Sequence, residues 1–275
     1  MLISIITINY NNLSGLKKTM QSVLEQTYSK IEYIIIDGGS TDGSKEYIES
    51  KDKNLAYWVS EPDKGIYHAM NKGIDQATGD YVLFLNSGDW LVGAEIVDVI
   101  SKNFGDCDIL FGNLIKVSIN QKQLIDKGPQ SSNLTLNNFF VGTLNHPSTF
   151  IKRDLFKKYG KYDESLKIVS DWKFFLIAIG LNDSVVKYLD TEISYFDMTG
   201  LSNSNLKARK DERDLVLKSL LPLRIYNDYN NFKNLSKILK NPRVQSLMKL
   251  EKFASLRKVN AVWFKFLLLF VKVKN

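Results

Sequence analysis

The chain has 275 residues, of which 44% are hydrophobic and 24% are charged, a balance that is ordinary for a soluble globular protein. Its length allows a full hydrophobic core, as one large domain or as one domain with an appendage. The single cysteine, Cys107, excludes an internal disulfide framework and a cysteine-ligated zinc site.

The start of the chain and its apolar runs carry no secretory or membrane-spanning signal. Residues 1–8 lack a basic flank and a small-residue cleavage site, so no signal peptide is expected. No run of about 18 apolar residues occurs, so no transmembrane helix is expected. A cytoplasmic location is therefore predicted, in agreement with the single cysteine.

The net charge of +7 is concentrated at one end of the chain. Residues 243–275 hold eight basic residues and one acidic residue, which accounts for all of it. The first 242 residues hold equal numbers of basic and acidic groups. A nucleic-acid-binding body would carry a basic face, so the charge distribution argues against nucleic acid as a partner.

Strands and helices alternate along the first 90 residues. Strands separated by helices of this length predict right-handed βαβ units and a parallel sheet. The predicted strands are residues 2–8, 31–36, 55–59 and 81–85. The first and third predicted helices are residues 14–24 and 65–77. Between them, residues 40–42 offer N-caps for a second helix that runs to about residue 49.

The pattern is looser after Asp89. We expect helices at 94–103 and 171–179, strands at 108–117 and 147–151, and a polar, irregular loop at 121–138. From Leu206 onward the chain is predicted to be mostly helical. The fold class is therefore α/β, with a mostly parallel sheet flanked by helices and a helical C-terminal appendage.

Four polar clusters follow the four predicted strands: residues 9–12, 37–42, 61–65 and 86–89. Any α/β domain has turns there, and the stretch Asn86-Ser-Gly-Asp89 taken alone is also compatible with an ordinary turn. In open α/β sheets, however, ligands bind at the carboxyl edge of the strands. A nucleotide pocket needs amide and carboxylate groups that converge along such an edge.

Four ordered segments resemble the family 2 glycosyltransferases with the GT-A fold. They are residues 4–11, 36–44, 60–73 and 77–89. The most similar subgroup makes bacterial O-antigen and capsular polysaccharides. The resemblance covers roughly residues 1–200 and implies a nucleotide-sugar donor, with UDP as the nucleotide, a divalent metal such as Mg²⁺ or Mn²⁺, and inversion at the anomeric carbon. It divides the chain into a GT-A domain, 1–205, and a helical region with a basic amphipathic tail, 206–275.

The resemblance assigns the donor side residue by residue. Asp37 corresponds to the acidic residue that hydrogen-bonds the pyrimidine, and Ile8 and Tyr10 lie beside the base through backbone and ring. The segment from Asp63 to Gly65, together with Asn71, flanks the donor.

The Asp-x-Asp region of the family corresponds to Asn86, Gly88 and Asp89. Asp89 is its last acid and the expected metal ligand, whereas two positions that are often acidic hold Asn86 and Gly88. The resulting metal site has one carboxylate, supplemented by diphosphate oxygens and water. His146, at a predicted sheet edge, is a candidate for contact with the metal, the diphosphate or the acceptor, and a packed or surface histidine is the alternative.

Asp171 resembles the residue that acts as general base in this family. It lies at the start of a predicted helix, where the helix dipole favours an ionised carboxylate. Such a group can accept the proton of the acceptor hydroxyl. The structural alternative is that Asp171 only occupies the first turn of its helix.

The C-terminal segment 261–273 is strongly apolar but is interrupted by Lys265 and Lys272. It resembles an interfacial helix that lies on an anionic bilayer, at the inner face of the cytoplasmic membrane. The alternative is an amphipathic helix that packs on protein, including a second copy of the chain. A membrane position would suit a glycan or polyprenyl-linked acceptor.

Two other classes compete with glycosyl transfer. The replaced acids at 86 and 88 favour a nucleotide-sugar-binding protein without turnover. A nucleotidyltransferase would need a Gly-rich basic loop after the first strand, where this chain has residues 9–12, Asn-Tyr-Asn-Asn. A dinucleotide dehydrogenase would need Gly-x-Gly-x-x-Gly there, which is absent.

Overall fold

A computed structural model describes residues 1–198 and 206–270. Its strands are β1 (Ile3–Asn9), β2 (Ile31–Asp37), β3 (Tyr57–Ser60), β4 (Tyr81–Phe84), β5 (Trp90–Leu91), β6 (Ile109–Val117), β7 (Gln123–Asp126), β8 (Thr149–Lys152) and β9 (Val186–Asp197). Its α-helices are α1 (Leu13–Leu24), α2 (Ser44–Glu49), α3 (Ile66–Gln76), α4 (Ile96–Ser101), α5 (Leu136–Val141), α6 (Asp154–Tyr159), α7 (Ser170–Phe175), α8 (Leu206–Leu220), α9 (Leu223–Leu239), α10 (Pro242–Leu250) and α11 (Ala254–Leu268).

All the strands of the described residues belong to one sheet, in the order β3-β2-β1-β4-β8-β6-β9-β5, with β7 paired to β6. The strands β1 to β4 are parallel to one another, and α1, α2 and α3 connect them. The predicted βαβ units are therefore confirmed. The strand β8 runs antiparallel to both β4 and β6, which extends the sheet beyond the parallel half.

The two faces of the sheet are buried in different ways. One face packs on α1, α2 and α4 through aliphatic side chains of alternate strand positions, among them Ile3, Ile5, Ile35 and Leu83. Every residue of β1 and of β4 is buried, as expected for central strands covered on both sides.

The other face of the sheet carries a cluster of aromatic rings. Phe84 packs against Tyr162 and Phe156, with ring centroids 5.4 and 6.3 Å apart, and Phe156 stacks on Phe174 of α7 at 4.6 Å. Contacts of this kind contribute about 0.5–1.5 kcal/mol each beyond their area burial. They fix α7, and therefore Asp171, against the centre of the sheet.

Several elements differ from the sequence expectations. The predicted loop 121–138 contains β7, which forms an antiparallel hairpin with β6, because pairing there compensates for low strand propensity. The predicted strand 147–151 begins with a 3₁₀ turn at His146–Ser148, since Pro147 has no N–H for a strand ladder. The helix that starts at residue 170 continues as a π-helical segment, Leu176–Leu181. The long strand β9 was not predicted.

By internal contacts the chain divides into two compact units, Met1–Leu220 and Leu221–Asn275. The helix α8 falls in the first unit. The boundary after residue 205, taken from the family resemblance, stays a prediction. Within the described ranges, no helix is both long and apolar enough to cross a membrane.

Candidate active site

The carboxylate of Asp37 joins the carboxyl ends of three strands. The side chain is fully buried and accepts hydrogen bonds from Asn9 Nδ2 (2.7 Å), from the backbone N (2.9 Å) and Oγ (2.5 Å) of Ser40, and from Ser60 Oγ (2.6 Å). Burial acts to raise the pKa of Asp37, but these donors outweigh it and the pKa is lowered. The carboxylate therefore orders the carboxyl ends of these strands. A hydrogen bond from the nucleobase of the donor to Asp37 stays a prediction.

Tyr10 and Asp63 approach Gly38, the residue that follows Asp37 in the chain. The Tyr10 side chain is 69% exposed. A Cβ atom placed on Gly38 would lie 2.8 Å from Asp63 Oδ2 and 3.2 Å from Tyr10 Cδ2, so glycine allows this close approach. Asp63 Oδ1 accepts a hydrogen bond from the N–H of Gly65 (3.0 Å), which precedes α3. An exposed ring beside a carboxylate suits a planar polar ligand.

Two of the predicted donor residues are occupied by bonds within the protein. The carbonyl of Ile8 accepts from the Ser87 N–H at 3.0 Å. The amide of Asn71 donates to the Tyr162 carbonyl (2.9 Å) and to Glu164 Oε1 (2.8 Å), and its oxygen accepts from the Tyr162 N–H (3.0 Å). This geometry favours a structural role for Asn71, and donor contact by either residue stays a prediction.

The helix α1 holds the loop that contains Asn86, Gly88 and Asp89. Thr19 Oγ1 accepts from the Gly88 N–H (3.0 Å) and donates to the Asp89 carbonyl (2.7 Å). The φ angle of Gly88 is +106°, in the region that favours glycine. These constraints direct the Asp89 side chain inward, where it is only 4% exposed.

Asp89 is a buried carboxylate beside a second acid. Its Oδ1 atom accepts from the backbone N–H of Asp197 at 3.2 Å. Burial, with a smaller contribution from the charge of Asp197, outweighs the opposing effects of His146 and this hydrogen bond, and the pKa of Asp89 is raised to about 7. A positive ligand would stabilise the ionised form.

His146 bridges Asn86 and Asp171. Its Nε2 atom lies 3.2 Å from Asn86 Nδ2, and its Nδ1 atom lies 3.4 Å from Asp171 Oδ2. In the neutral tautomer whose Nε2 accepts from this amide, Nδ1 carries the hydrogen that faces Asp171. Both ring nitrogens are engaged, so the geometry favours a bridging role, and metal ligation by His146 stays a prediction.

Asp171 is held as an ionised carboxylate. Burial alone would raise its pKa, but the interaction with His146, the Trp172 backbone N–H and the Tyr67 hydroxyl, 3.1 Å from Oδ1, lower it. The carboxylate is therefore charged at neutral pH and is oriented from two sides. The predicted role as general base stays a prediction that this geometry favours.

The helix α8 supports the segment that carries Asp171. The Glu212 carboxylate accepts from the backbone N–H groups of Lys167 and Ile168, each at 2.9 Å. The Arg213 guanidinium lies over the Trp172 ring, 4.9 Å from its centroid, and burial lowers the pKa of Arg213 to about 10. The sequence reasoning assigned no role to Glu212, Tyr67 or Asp197, because no local motif marks their distant partners.

The residues fit a hard divalent cation, although the protein ligands are few. Among the described residues, no group of three or more His, Cys, Asp and Glu side chains could hold a metal ion. Within the same ranges, the Oδ1 atom of Asn86 is buried without a hydrogen-bond partner. An amide oxygen and a carboxylate are the oxygen donors that Mg²⁺ and Mn²⁺ prefer, with the remaining positions left to phosphate and water.

Comparison with known proteins decides the family. Residues 4–160 match the model of glycosyl transferase family 2. The chain belongs to glycosyltransferase family 2. An uncharacterized glycosyltransferase of Mycobacterium tuberculosis is 35% identical over 208 residues, which cover 73% of this chain and 77% of the relative. A PGL/p-HBAD biosynthesis glycosyltransferase of Mycobacterium bovis is 29% identical, with coverage of 73% and 79%.

Solved structures confirm the predicted GT-A fold. The 1–349 fragment of TarS from S. aureus has a TM-score of 0.65 at 20% identity, covering 83% of this chain and 69% of that one. The mannosyltransferase PcManGT from Pyrobaculum calidifontis, in complex with GDP-Man and Mn²⁺, has a TM-score of 0.55 at 12% identity, with coverage of 96% and 87%. The α/β sheet with flanking helices is therefore the GT-A fold, and family 2 membership makes the chain a transferase.

Proposed function

We propose that this protein is an inverting glycosyltransferase that moves a sugar from a UDP-sugar to a glycan or polyprenyl-linked acceptor in cell-surface polysaccharide synthesis. The observation that carries the proposal is the connected chain of side chains Asp171–His146–Asn86, with Asp89 in the same loop as Asn86. It links Asp171, the expected general base, to the loop that corresponds to the Asp-x-Asp region. Inverting transfer needs these two functions on opposite sides of one anomeric carbon.

The chemistry follows from the charges of this site. The Asp171 carboxylate takes the proton from the acceptor hydroxyl as its oxygen bonds to the anomeric carbon. The bond between that carbon and the diphosphate oxygen breaks at the same time, and the electron pair leaves with the nucleoside diphosphate. A divalent cation held by Asp89 and by Asn86 Oδ1 would, when bound, offset the charge of the departing diphosphate.

The choice of donor is supported by the exposed Tyr10 ring beside Gly38 and Asp63. TarS has been solved with UDP and with UDP-GlcNAc, and its fold is that of this chain. We take a UDP-sugar as the first donor to test and a polyprenyl-diphosphate sugar as the first acceptor.

The second candidate is a nucleotide-sugar-binding protein without turnover. The observation that favours it is the absence of acids at Asn86 and Gly88. It predicts nucleotide-sugar affinity with no release of nucleotide, whereas a transferase releases nucleotide in proportion to acceptor.

A donor screen separates the two. Nucleotide release is measured for UDP-, GDP- and dTDP-sugars with a polyprenyl-diphosphate sugar, in Mn²⁺ or Mg²⁺. Acceptor-dependent release with one UDP-sugar is the expected result. Binding of a UDP-sugar by calorimetry without release, across a broad acceptor panel, would replace the transferase with the binding protein.

We also propose that residues 243–275, within the second compact unit, bind an anionic membrane surface. On α11, Trp263, Phe264, Phe266 and Leu267 are 45–57% exposed, and the helix has no buried residue. The same helix carries Arg257, Lys258 and Lys265 and no acidic residue. Exposed aromatic and aliphatic groups with basic neighbours suit the interface of an anionic bilayer.

A further inference from the structure

The helix α3 joins the expected donor segment, residues 63–65, to the expected general base. It begins directly after that segment, and its second residue, Tyr67, reaches Asp171. We infer that Tyr67 is a positioning residue for the base, and that α3 thereby sets Asp171 relative to the donor segment. This inference rests on the proposed function, since it deepens the role given there to Asp171.

The Tyr67 hydroxyl donates to one oxygen of the Asp171 carboxylate. Tyr67 Oη lies 3.1 Å from Asp171 Oδ1, whereas Asp171 Oδ2 faces His146. Tyr67 is buried, and this burial, together with the charge of Asp171, raises the pKa of the hydroxyl well above its ordinary value. The hydroxyl therefore keeps its proton and stays a donor. Because the two carboxylate oxygens are held from two different elements, the carboxylate cannot rotate without loss of a contact.

The position of α3 is itself fixed on two sides. A Cβ atom placed on Gly73 would lie 2.5 Å from Ile6 Cγ2, so α3 packs closely on β1. The Asn71 side chain donates to the Tyr162 carbonyl at 2.9 Å and accepts from the Tyr162 N–H at 3.0 Å. These bonds tie α3 to the chain segment that precedes α7. Tyr67 is therefore presented to Asp171 by a helix that is anchored both to the sheet and to this segment.

A second buried tyrosine provides a comparison within the same cluster. The rings of Tyr162 and Tyr67 lie with centroids 5.7 Å apart, and both residues are buried. The Tyr162 hydroxyl, however, has no hydrogen-bond partner among the described residues. The two side chains thus share their type, burial and place, and differ in the bond to Asp171. Loss of the Tyr162 hydroxyl should remove no contact of the base.

Steady-state kinetics of Tyr67→Phe test the inference, with Tyr162→Phe as the matched control. The substrates are a UDP-sugar and a polyprenyl-diphosphate sugar, and UDP affinity is measured by calorimetry. Tyr67→Phe should lower kcat by about 10–100-fold, because a misplaced base is less effective. The donor KM and the UDP affinity should not change, since the lost bond lies on the acceptor side. Tyr162→Phe should leave all three quantities unchanged. Equal losses of kcat in the two variants would indicate a packing effect and would overturn the inference.

Combination with Asp171→Asn tests whether Tyr67 acts through the base. In that background Tyr67→Phe should cause no further loss of kcat, because the carboxylate that it positions is already gone. Tyr67→Leu, which also lacks the hydroxyl, replaces Tyr67→Phe if the phenylalanine variant shows no cooperative thermal unfolding. Wild-type kcat in folded Tyr67→Phe, or losses that multiply in the double variant, would overturn the inference and leave the proposed function intact. If the wild type showed no acceptor-dependent nucleotide release, both would be overturned.

Discussion

In residues 1–220, the apolar side chains of β1 and β4 are buried, and the carboxyl ends of the parallel strands carry hydrogen-bonded polar groups. In residues 221–275, the helices α9, α10 and α11 contain no buried residue, and large apolar side chains are exposed along them. A folded unit that hides its apolar surface is stabilised by its own core. A unit that exposes large apolar side chains commonly uses them to bind a membrane or another protein. The first unit should therefore determine chemistry, and the second should determine location.

The sharpest test of this division is Asp171→Asn, which preserves shape and removes basicity. The expected loss is about 10²–10⁴-fold in kcat, with little change in UDP affinity, because the residue acts on the acceptor. Since the pKa of Asp171 is lowered, its ionisation should not limit kcat at neutral or mildly acidic pH. Steady-state kinetics and calorimetry with UDP measure both quantities.

The matched control for Asp171 is Asp154→Asn, which removes an exposed carboxylate from the first turn of α6. It should leave kcat unchanged. Loss of UDP binding in Asp171→Asn would move the residue to the donor side.

The next largest effect is expected for Asp89→Ala, which should lose about two to three orders of magnitude of turnover while the fold persists. Stability carries a second signature. The folded pKa of about 7 exceeds the ordinary value of 3.8, so the folded state binds more protons between these pH values. In the absence of metal, the free energy of unfolding should therefore fall as pH rises from about 4 to 7.

Denaturant titrations across this pH range, on metal-free protein, measure the effect for Asp89. Asp89→Asn should remove this part of the pH dependence, and Mn²⁺ with UDP should reduce it in the wild type. If the free energy of unfolding of Asp89→Asn fell with pH as steeply as that of the wild type, other groups would be the cause. Near wild-type turnover of Asp89→Ala in Mn²⁺ or Mg²⁺ would contradict its assignment as metal ligand.

A smaller effect is expected for Asp37→Ala, in binding and not in chemistry. Loss of the polar partner of the nucleobase should weaken UDP binding by about 1–3 kcal/mol. The same change leaves Asn9, Ser40 and Ser60 without their acceptor, so the thermal midpoint should fall as well. Ser60→Ala serves as the control, because it removes one hydrogen bond to Asp37 and leaves the carboxylate available to the nucleobase. Reduced stability with unchanged UDP affinity would mean that Asp37 only orders the turn.

The smallest effect on catalysis is expected for truncation after Pro242, which removes both α10 and α11. Binding to vesicles that contain anionic lipid should be lost, while nucleotide release is retained. In the full chain, binding should weaken with added salt but persist in part, because each basic residue contributes about 1 kcal/mol that salt screens, whereas apolar burial is not screened.

Two double variants separate these contributions to membrane binding. Trp263→Ala with Phe266→Ala should reduce the part of the binding that resists salt, and Arg257→Gln with Lys258→Gln should reduce the part that salt weakens. If the full chain ignored anionic vesicles at low salt, packing on protein, including a second copy, would explain the exposed face better.

The sequence predicts local features of this molecule well and distant contacts poorly. Apolar runs such as residues 81–85 predict buried strands, because period and composition act within a few positions. The bonds of Asp171 with Tyr67, and of Asp89 with Asp197, join residues 104 and 108 positions apart. No local pattern encodes such pairs, because the register of the whole sheet creates them. The roles of Glu212 and of β9 were missed for the same reason.

Trp90 stands one residue after Asp89 in the chain, with Lys18 and Tyr195 against its ring. The emission wavelength of an indole depends on the electric field across it. A change of charge at residue 89 is therefore expected to shift the emission of Trp90, which can be read without a label once the other three tryptophans are replaced.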